Sequence, residues 1–298
     1  MSSQHTNPTN RHQPMAKARL MSLTVLALLA FAGNSLLCRL ALATTSIDAA
    51  TFTSIRLLSG VVTLLLICAV SARSIKGQGT WLSAVALFSY AAGFSFAYLT
   101  LPTGLGALLL FGAVQTSMIG FGLWRGERFS PQQLFGLLLA LVGLIGLMLP
   151  GVSAPPLGGA LLMVLAGVSW GVYSLRGRGS GDAISLTYGN FMRAFPLALL
   201  LSLWMIDAMS VPLMGVAYAV ISGALASAVG YAIWYSVLPY LAATKAATLQ
   251  LSVPVIAAFA GVIVLDEAVT TRLLFASLAI LGGIGLVVYQ KQPTVKPS

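Results

Sequence analysis

Charge is scarce in this chain. Of its 298 residues 7% are charged and 58% are hydrophobic, and the mean hydropathy is +0.94. A soluble fold of this length cannot cover its surface with so few charges, which excludes a water-soluble enzyme or binding module. Acidic residues are the scarcest charged class. All six (Asp48, Glu127, Asp182, Asp207, Asp266 and Glu267) fall in links or at the ends of apolar runs. No Asp, Glu or His lies at membrane depth, so nothing supports the buried proton relay typical of proton-driven carriers. Sodium sites made of carbonyls and hydroxyls stay open. The only histidines, His5 and His12, sit in a polar N-terminal tail, and the only cysteines, Cys38 and Cys68, lie inside apolar runs. No metal-ligand spacing results, and the serines have no partner base. Neither enzyme activity, a metal nor a cofactor is expected, and the cysteines read as small packing residues.

What is abundant is apolar sequence in long runs. The segments are 20–43, 49–72, 79–100, 103–124, 130–149, 157–177, 183–206, 212–238, 242–265 and 270–290. Each approaches the ~20 residues that carry a helix across a bilayer core. Barrel strands would instead alternate with period two over ~10 residues, and no such alternation is present. The expected fold class is an all-α integral membrane protein of ten transmembrane helices. Residues 1–19 read as a disordered cytoplasmic tail and 291–298 as a second tail. The stretch 16–43 has the outline of a signal peptide ending at Ala41-Leu42-Ala43, but its apolar run is too long and Arg39 interrupts it, so it reads as the first span. The net charge of +10 does not point to nucleic acid. Lys17, Arg19, Arg73, Lys76, Arg125, Arg128, Arg176, Arg178, Lys245 and Lys291 all fall on one side of the alternating spans, with only Arg39 and Arg272 opposite. By the positive-inside rule both termini are cytoplasmic.

The two halves, 20–149 and 157–290, carry the same landmarks in the same order. Phe31-Ala32-Gly33-Asn34-Ser35 answers to Trp170-Gly171-Val172-Tyr173-Ser174, and Arg56 to Arg193. Glu127 precedes Gly143 by sixteen residues, and Glu267 precedes Gly283 by sixteen. The offsets run from 137 to 140 residues. Repeats with an odd number of spans insert with opposite orientation, so the expectation is two inverted five-helix repeats around a central cavity.

Only Arg56 and Arg193 put a charge well inside a span. Each either snorkels to its nearer interface, caps carbonyls at a neighbouring helix end, or serves as a cation that orients a carboxylate. Tyr90, Phe94 and Tyr98 form a stripe on the third segment, and Tyr231, Trp234 and Tyr235 share a face of the eighth. Asn34, Trp170, Tyr173, Gln115, Gln250 and Asn190 add polar and aromatic groups at mid-depth. Such stripes serve helix packing or an interfacial belt, or they line a watered cavity that satisfies the amides and phenols. Pro254 in the ninth segment frees a carbonyl and permits a bend. The candidate substrate-binding set is therefore Asn34, Arg56, Tyr90, Phe94, Tyr98, Gln115, Trp170, Tyr173, Asn190, Arg193, Tyr231, Trp234, Tyr235 and Gln250, with Pro254 as a hinge.

These landmarks resemble the EamA-like members of the drug/metabolite transporter superfamily over nearly all of residues 20–290. The family's Trp-Gly opening is matched by Trp170-Gly171 and more weakly by Phe31-Ala32-Gly33-Asn34. Its Arg is matched by Arg56 and Arg193, its Pro by Pro254 and its Glu by Glu127 and Glu267, while Val114 stands where the first half would carry the Pro. Within the superfamily the chain is similar to the bacterial aromatic amino acid exporters. The resemblance implies an inner-membrane transporter exporting aromatic amino acids and related amphipathic metabolites by alternating access. Its partners would be a small amphipathic substrate and the lipid bilayer. The sequence leaves oligomeric state, direction and coupling ion open. Its rivals are a broad-range exporter without aromatic preference and a non-transporting membrane accessory protein.

Overall fold

The computed structural model describes residues 16–74, 78–124, 126, 130–149, 154–177, 182–237, 240–241 and 249–289. Glu127, residues 242–248 of the ninth predicted span, and residues 291–298 lie outside the described residues. Ten principal helices run through the described residues: α1 (Lys17–Thr44), α2 (Ala49–Val70), α3 (Trp81–Tyr98), α4 (Thr103–Trp124), α5 (Pro131–Met148), α6 (Leu157–Gly177), α7 (Ala183–Trp204), α8 (Leu213–Val237), α9 (Ser252–Leu265) and α10 (Thr271–Tyr289). There is no strand among the described residues. Seven of these helices are long and apolar enough to cross a membrane, and α5, α9 and α10 are shorter apolar helices. The chain is a multi-span membrane protein. Large side chains face outward as a lipid-exposed surface needs, among them Leu58, Phe259, Ile263 and Leu278.

The few polar residues at helix starts explain where the helices begin. Asp48 accepts the Thr51 N–H at 2.8 Å and so caps α2. Thr80 caps α3 through the Ser83 N–H. Ser130 and Gln133 form a reciprocal capping box on α5, with Pro131 in the first turn, where its missing N–H costs nothing. Asp182 caps α7 through the Ile184 and Ser185 N–H groups. Each cap satisfies donors that lipid cannot satisfy.

Three sequence expectations need correction. Lys17 and Arg19 belong to α1, because that helix starts before the apolar run does. The ninth segment is not one helix through its described part, because Leu251 interrupts it and α9 restarts at Ser252. Pro254 thus sits in the first turn of α9, and the carbonyl its ring would crowd belongs to Gln250, on the far side of the interruption. The eighth segment is not uniformly α-helical either. Ser222–Val229 is a π-helical stretch, and at its end the Gly230 N–H reaches the Leu225 carbonyl five residues back. A further feature, passed over in the sequence, is Pro196 inside α7.

Helices pair mainly as α5 with α10, α2 with α7, α4 with α9, α3 with α6, α1 with α8, α4 with α6, α1 with α9, α3 with α7 and α2 with α8. Replacing each helix by the one five places along returns the same set of pairs. The α5/α10 pair packs on α4, away from the aromatic centre. In lipid, close packing rather than hydrophobic exclusion joins helices, so small residues mark the tightest contacts. A Cβ at Gly223 of α8 would collide with Ser59 Oγ and the Arg56 carbonyl of α2.

The links collect at two ends. One end holds the α1–α2, α3–α4, α7–α8 and α9–α10 links. There Arg39 donates to the Tyr98 and Leu99 carbonyls at 2.9 and 3.2 Å and faces Glu267 at 3.5 Å. Glu267 also accepts the Thr103 N–H at 2.7 Å and the Thr103 hydroxyl at 3.1 Å. The other end holds the α2–α3 and α6–α7 links, joined by the Arg73–Asp182 ion pair. Burial pushes the Asp182 carboxyl up, but bonds from Ser185 and Arg73 and the Arg73 charge outweigh it and hold the group below its ordinary value.

Candidate functional site

At mid-bundle, rings from both halves of the chain converge. The Trp170 indole of α6 stands 4.8 Å from the Tyr90 ring of α3, 4.9 Å from Tyr231 of α8 and 5.4 Å from Tyr173. Phe31 of α1 meets Tyr231 at 5.9 Å and Trp234 at 5.8 Å, both edge-on. Tyr90 continues to Phe94 at 5.5 Å and Phe94 to Tyr98 at 4.8 Å. Phe191 of α7 adds an edge contact to Tyr231 at 6.2 Å. Such tilted and edge-on pairs are the favoured aromatic geometries.

A polar chain threads these rings. The Ser222 hydroxyl donates to Asn34 Oδ1 at 2.7 Å, and Asn34 Nδ2 donates to the Tyr90 hydroxyl at 3.3 Å. Arg56 Nη2 donates to the same hydroxyl at 3.1 Å, and Arg56 Nε donates to the Ser227 hydroxyl at 3.2 Å. The Arg56 guanidinium lies 5.2 Å from the Tyr90 ring centre and 5.0 Å from that of Phe94, within cation–π range. Arg56 is only 2% exposed. Ser222 and Ser227 both reach the site because the chain between them is π-helical. In an α-helix, residues five apart stand about 140° apart around the axis.

Of the predicted site residues, Asn34, Arg56, Tyr90, Phe94, Trp170, Tyr173, Tyr231 and Trp234 come together here. Tyr98 closes the stack toward the α3–α4 link, where its hydroxyl donates to the Thr103 carbonyl at 3.2 Å. Asn190 lies at the margin of the cluster, where it shares a hydrogen bond with Tyr173 and accepts the Thr80 N–H at 3.0 Å, at the start of α3. Arg193 donates to the carbonyls of Gln78, in the link before α3, and of Gly189, one turn back on its own helix, at 2.6 and 2.8 Å. Gln115 is buried on α4, Gln250 sits beside the α9 interruption, and Tyr235 packs against the core near Gly177; no hydrogen bond or ring contact among the described residues joins them to the cluster. Sequence reasoning missed Phe31, Phe191, Ser222 and Ser227. The repeat pattern places Phe31 opposite Trp170 and could have found it. The two serines gave no signal, because their shared face exists only in the π-helical stretch. No group of His, Cys, Asp or Glu among the described residues could hold a metal ion.

Apolar helices thus enclose a polar and aromatic centre. Residues 157–289 match the EamA-like transporter family. An uncharacterized protein of Pseudomonas aeruginosa is 54% identical over 274 residues, covering 92% of this chain and 96% of that protein. The uncharacterized transporter YoaV of Bacillus subtilis is 25% identical over 53% of this chain and 57% of its own. A solved crystal structure at 17% identity shares the fold with a TM-score of 0.65, over 91% of this chain and 98% of the other. The match to the EamA-like transporter family thus covers the second half of the chain.

Proposed function

We propose that this transporter exports aromatic amino acids and related amphipathic metabolites across the bacterial inner membrane by alternating access, with both termini cytoplasmic. The observation that carries this reading is the ring cluster, to which α1, α3, α6, α7 and α8 all contribute. A planar ring entering among such edges exchanges one aromatic neighbour for another at little cost. Asn34, Tyr90, Ser222 and Ser227 offer hydrogen-bonding groups for the polar end of an amino acid beside those rings. Two inverted repeats, residues 20–149 and 157–290, supply the two faces that exchange access. The packing pairs that survive a five-helix exchange support this relation. Pro254 and the interruption at Leu251 are the hinge of α9. Transport is facilitated rather than obligately proton-driven, a reading supported by the polar cluster's lack of any carboxylate or histidine among the described residues.

The test is uptake of labelled tryptophan into liposomes containing only this protein, with and without a pH gradient. A tryptophan gradient alone drives flux if the reading is right. Flux that requires a pH difference refutes the facilitated mechanism. Trp234→Ala is expected to weaken tryptophan transport about tenfold, the worth of a ring contact at the upper end of its range, and to spare a small aliphatic amino acid. Equal loss for both means the variant has a folding defect.

A further inference from the structure

We infer that Arg56 is the subsite for a carboxylate, so that the transporter takes aromatic carboxylates and discriminates against aromatic amines. The inference rests on the aromatic reading of the ring cluster and adds the charge of the substrate.

Arg56 carries five N–H donors in a planar fork. The Ser227 and Tyr90 hydroxyls engage Nε and Nη2. Nη1 is enclosed and has no hydrogen-bond partner among the described residues. The guanidinium also makes no ion pair there: the described Arg–carboxylate pairs are Arg39–Glu267 and Arg73–Asp182, at the two bundle ends. Arg193, its counterpart in the repeat, spends one terminal nitrogen on two backbone carbonyls, whereas Arg56 has no carbonyl partner. The Tyr90 and Phe94 faces attract the cation but do not neutralise it. A buried charge with an unused donor is costly unless a counter-ion completes it. Removing the charge is no escape for an arginine, which stays protonated in proteins. The missing partner is therefore an anion that can sit on a flat fork, and a carboxylate has that shape. It would lie beside rings that can hold the aromatic part of the same molecule. Because Nη1 is enclosed, the carboxylate reaches it once the ring stack has parted, as alternating access requires.

The experiment uses the full chain in liposomes and follows labelled tryptophan against two competitors. One is 3-indolepropionate, which keeps the ring and carboxylate but lacks the amine. The other is tryptamine, which keeps the ring and amine but lacks the carboxylate. In the wild type, 3-indolepropionate is expected to compete at least about tenfold better, the value of one charge-assisted hydrogen bond. Arg56→Gln removes that preference, and Arg56→Lys keeps its direction with weaker binding. Equal competition by tryptamine in the wild type, or an unchanged preference in Arg56→Gln, overturns the inference. If Arg56→Gln does not fold, the wild type and Arg56→Lys decide. If the wild type moves no tryptophan, the proposed substrate fails on its own. Thermal stabilisation of the purified protein by 3-indolepropionate over tryptamine then still upholds Arg56 as a carboxylate site, and stabilisation by neither refutes it.

Discussion

Glu267 offers the sharpest test of how one end of the bundle is held. Its carboxylate accepts two bonds from Thr103, at 2.7 and 3.1 Å, and stands 3.5 Å from Arg39. The Thr103 N–H is one of the orphan donors at the start of α4, so the bond to it is a capping bond made from the end of α9. A hydrogen bond to a charged group contributes about 1.5–3 kcal/mol. The ion pair adds about 1 kcal/mol at most, since both side chains are partly exposed and the nitrogen–oxygen distance is long. Glu267→Gln keeps an acceptor but loses the charge, and should destabilise the protein by about 2 kcal/mol. Arg39→Met leaves the Tyr98 and Leu99 carbonyls without that donor and should also destabilise. The double variant separates the two effects. The coupling between Arg39 and Glu267 should be about 0.5–1 kcal/mol, because the Thr103 bonds do not depend on Arg39. Reversible unfolding of the purified protein in mixed micelles measures all four species. A neutral Glu267→Gln, or a coupling above about 2 kcal/mol, refutes the assignment of the contact to capping. The same Glu267→Gln protein in liposomes asks whether this carboxylate carries a proton. Tryptophan flux that stays independent of pH says that it does not.

Two further outcomes are expected. Gly223→Val should push α8 from α2 and cost several kcal/mol, because the added atoms meet not only Ser59 Oγ but also the Arg56 carbonyl, which is backbone and cannot turn aside; correctly folded, active Gly223→Val protein would contradict that packing. Asp182 is held below its ordinary value, so its contribution to stability is present above about pH 4 and is lost as pH falls through the folded-state value. Asp182→Asn should remove about 1 kcal/mol at neutral pH and flatten the acid side of the melting-temperature profile, and an unchanged profile would argue against the Arg73 latch.

The helices of the described residues were legible because lipid imposes one requirement on a span, ~20 apolar residues with all backbone groups bonded internally, and seven of them meet it in full. Boundaries failed where a helix did not end with its apolar run, as at Lys17, or where the backbone departed from the α-helix, as at Leu251. The aromatic half of the site was legible too. Tyr90 and Phe94 share a helix face, and so do Tyr231 and Trp234, so sequence spacing alone put each pair together. Arg56 and Arg193 were not separable in the sequence, since they occupy matching places in two similar halves. What separates them is the surroundings. Arg193 finds two backbone carbonyls at 2.6 and 2.8 Å, and Arg56 finds hydroxyls and rings. Latches such as Arg39–Glu267 and Arg73–Asp182 join distant parts of the chain, and no local pattern announces such a contact.

The π-helical stretch of α8 means that this helix stores slack. Its eight residues wind more loosely than their neighbours, so the segment holds chain that an α-helix of the same rise would not need. Slack of that kind works like the play in a screw thread. Moving the loose turn along α8 by one residue shifts the residue it passes by about 100° around the axis and about 1.5 Å along it, while the helix on either side stays where the links fix it. Tyr231 and Trp234 lie just beyond the loose turn, and Ser222 and Ser227 lie within it. One helix therefore carries two of the site's rings next to a loose turn whose passage along α8 would re-aim them against the hydroxyls bonded to Asn34 and Arg56.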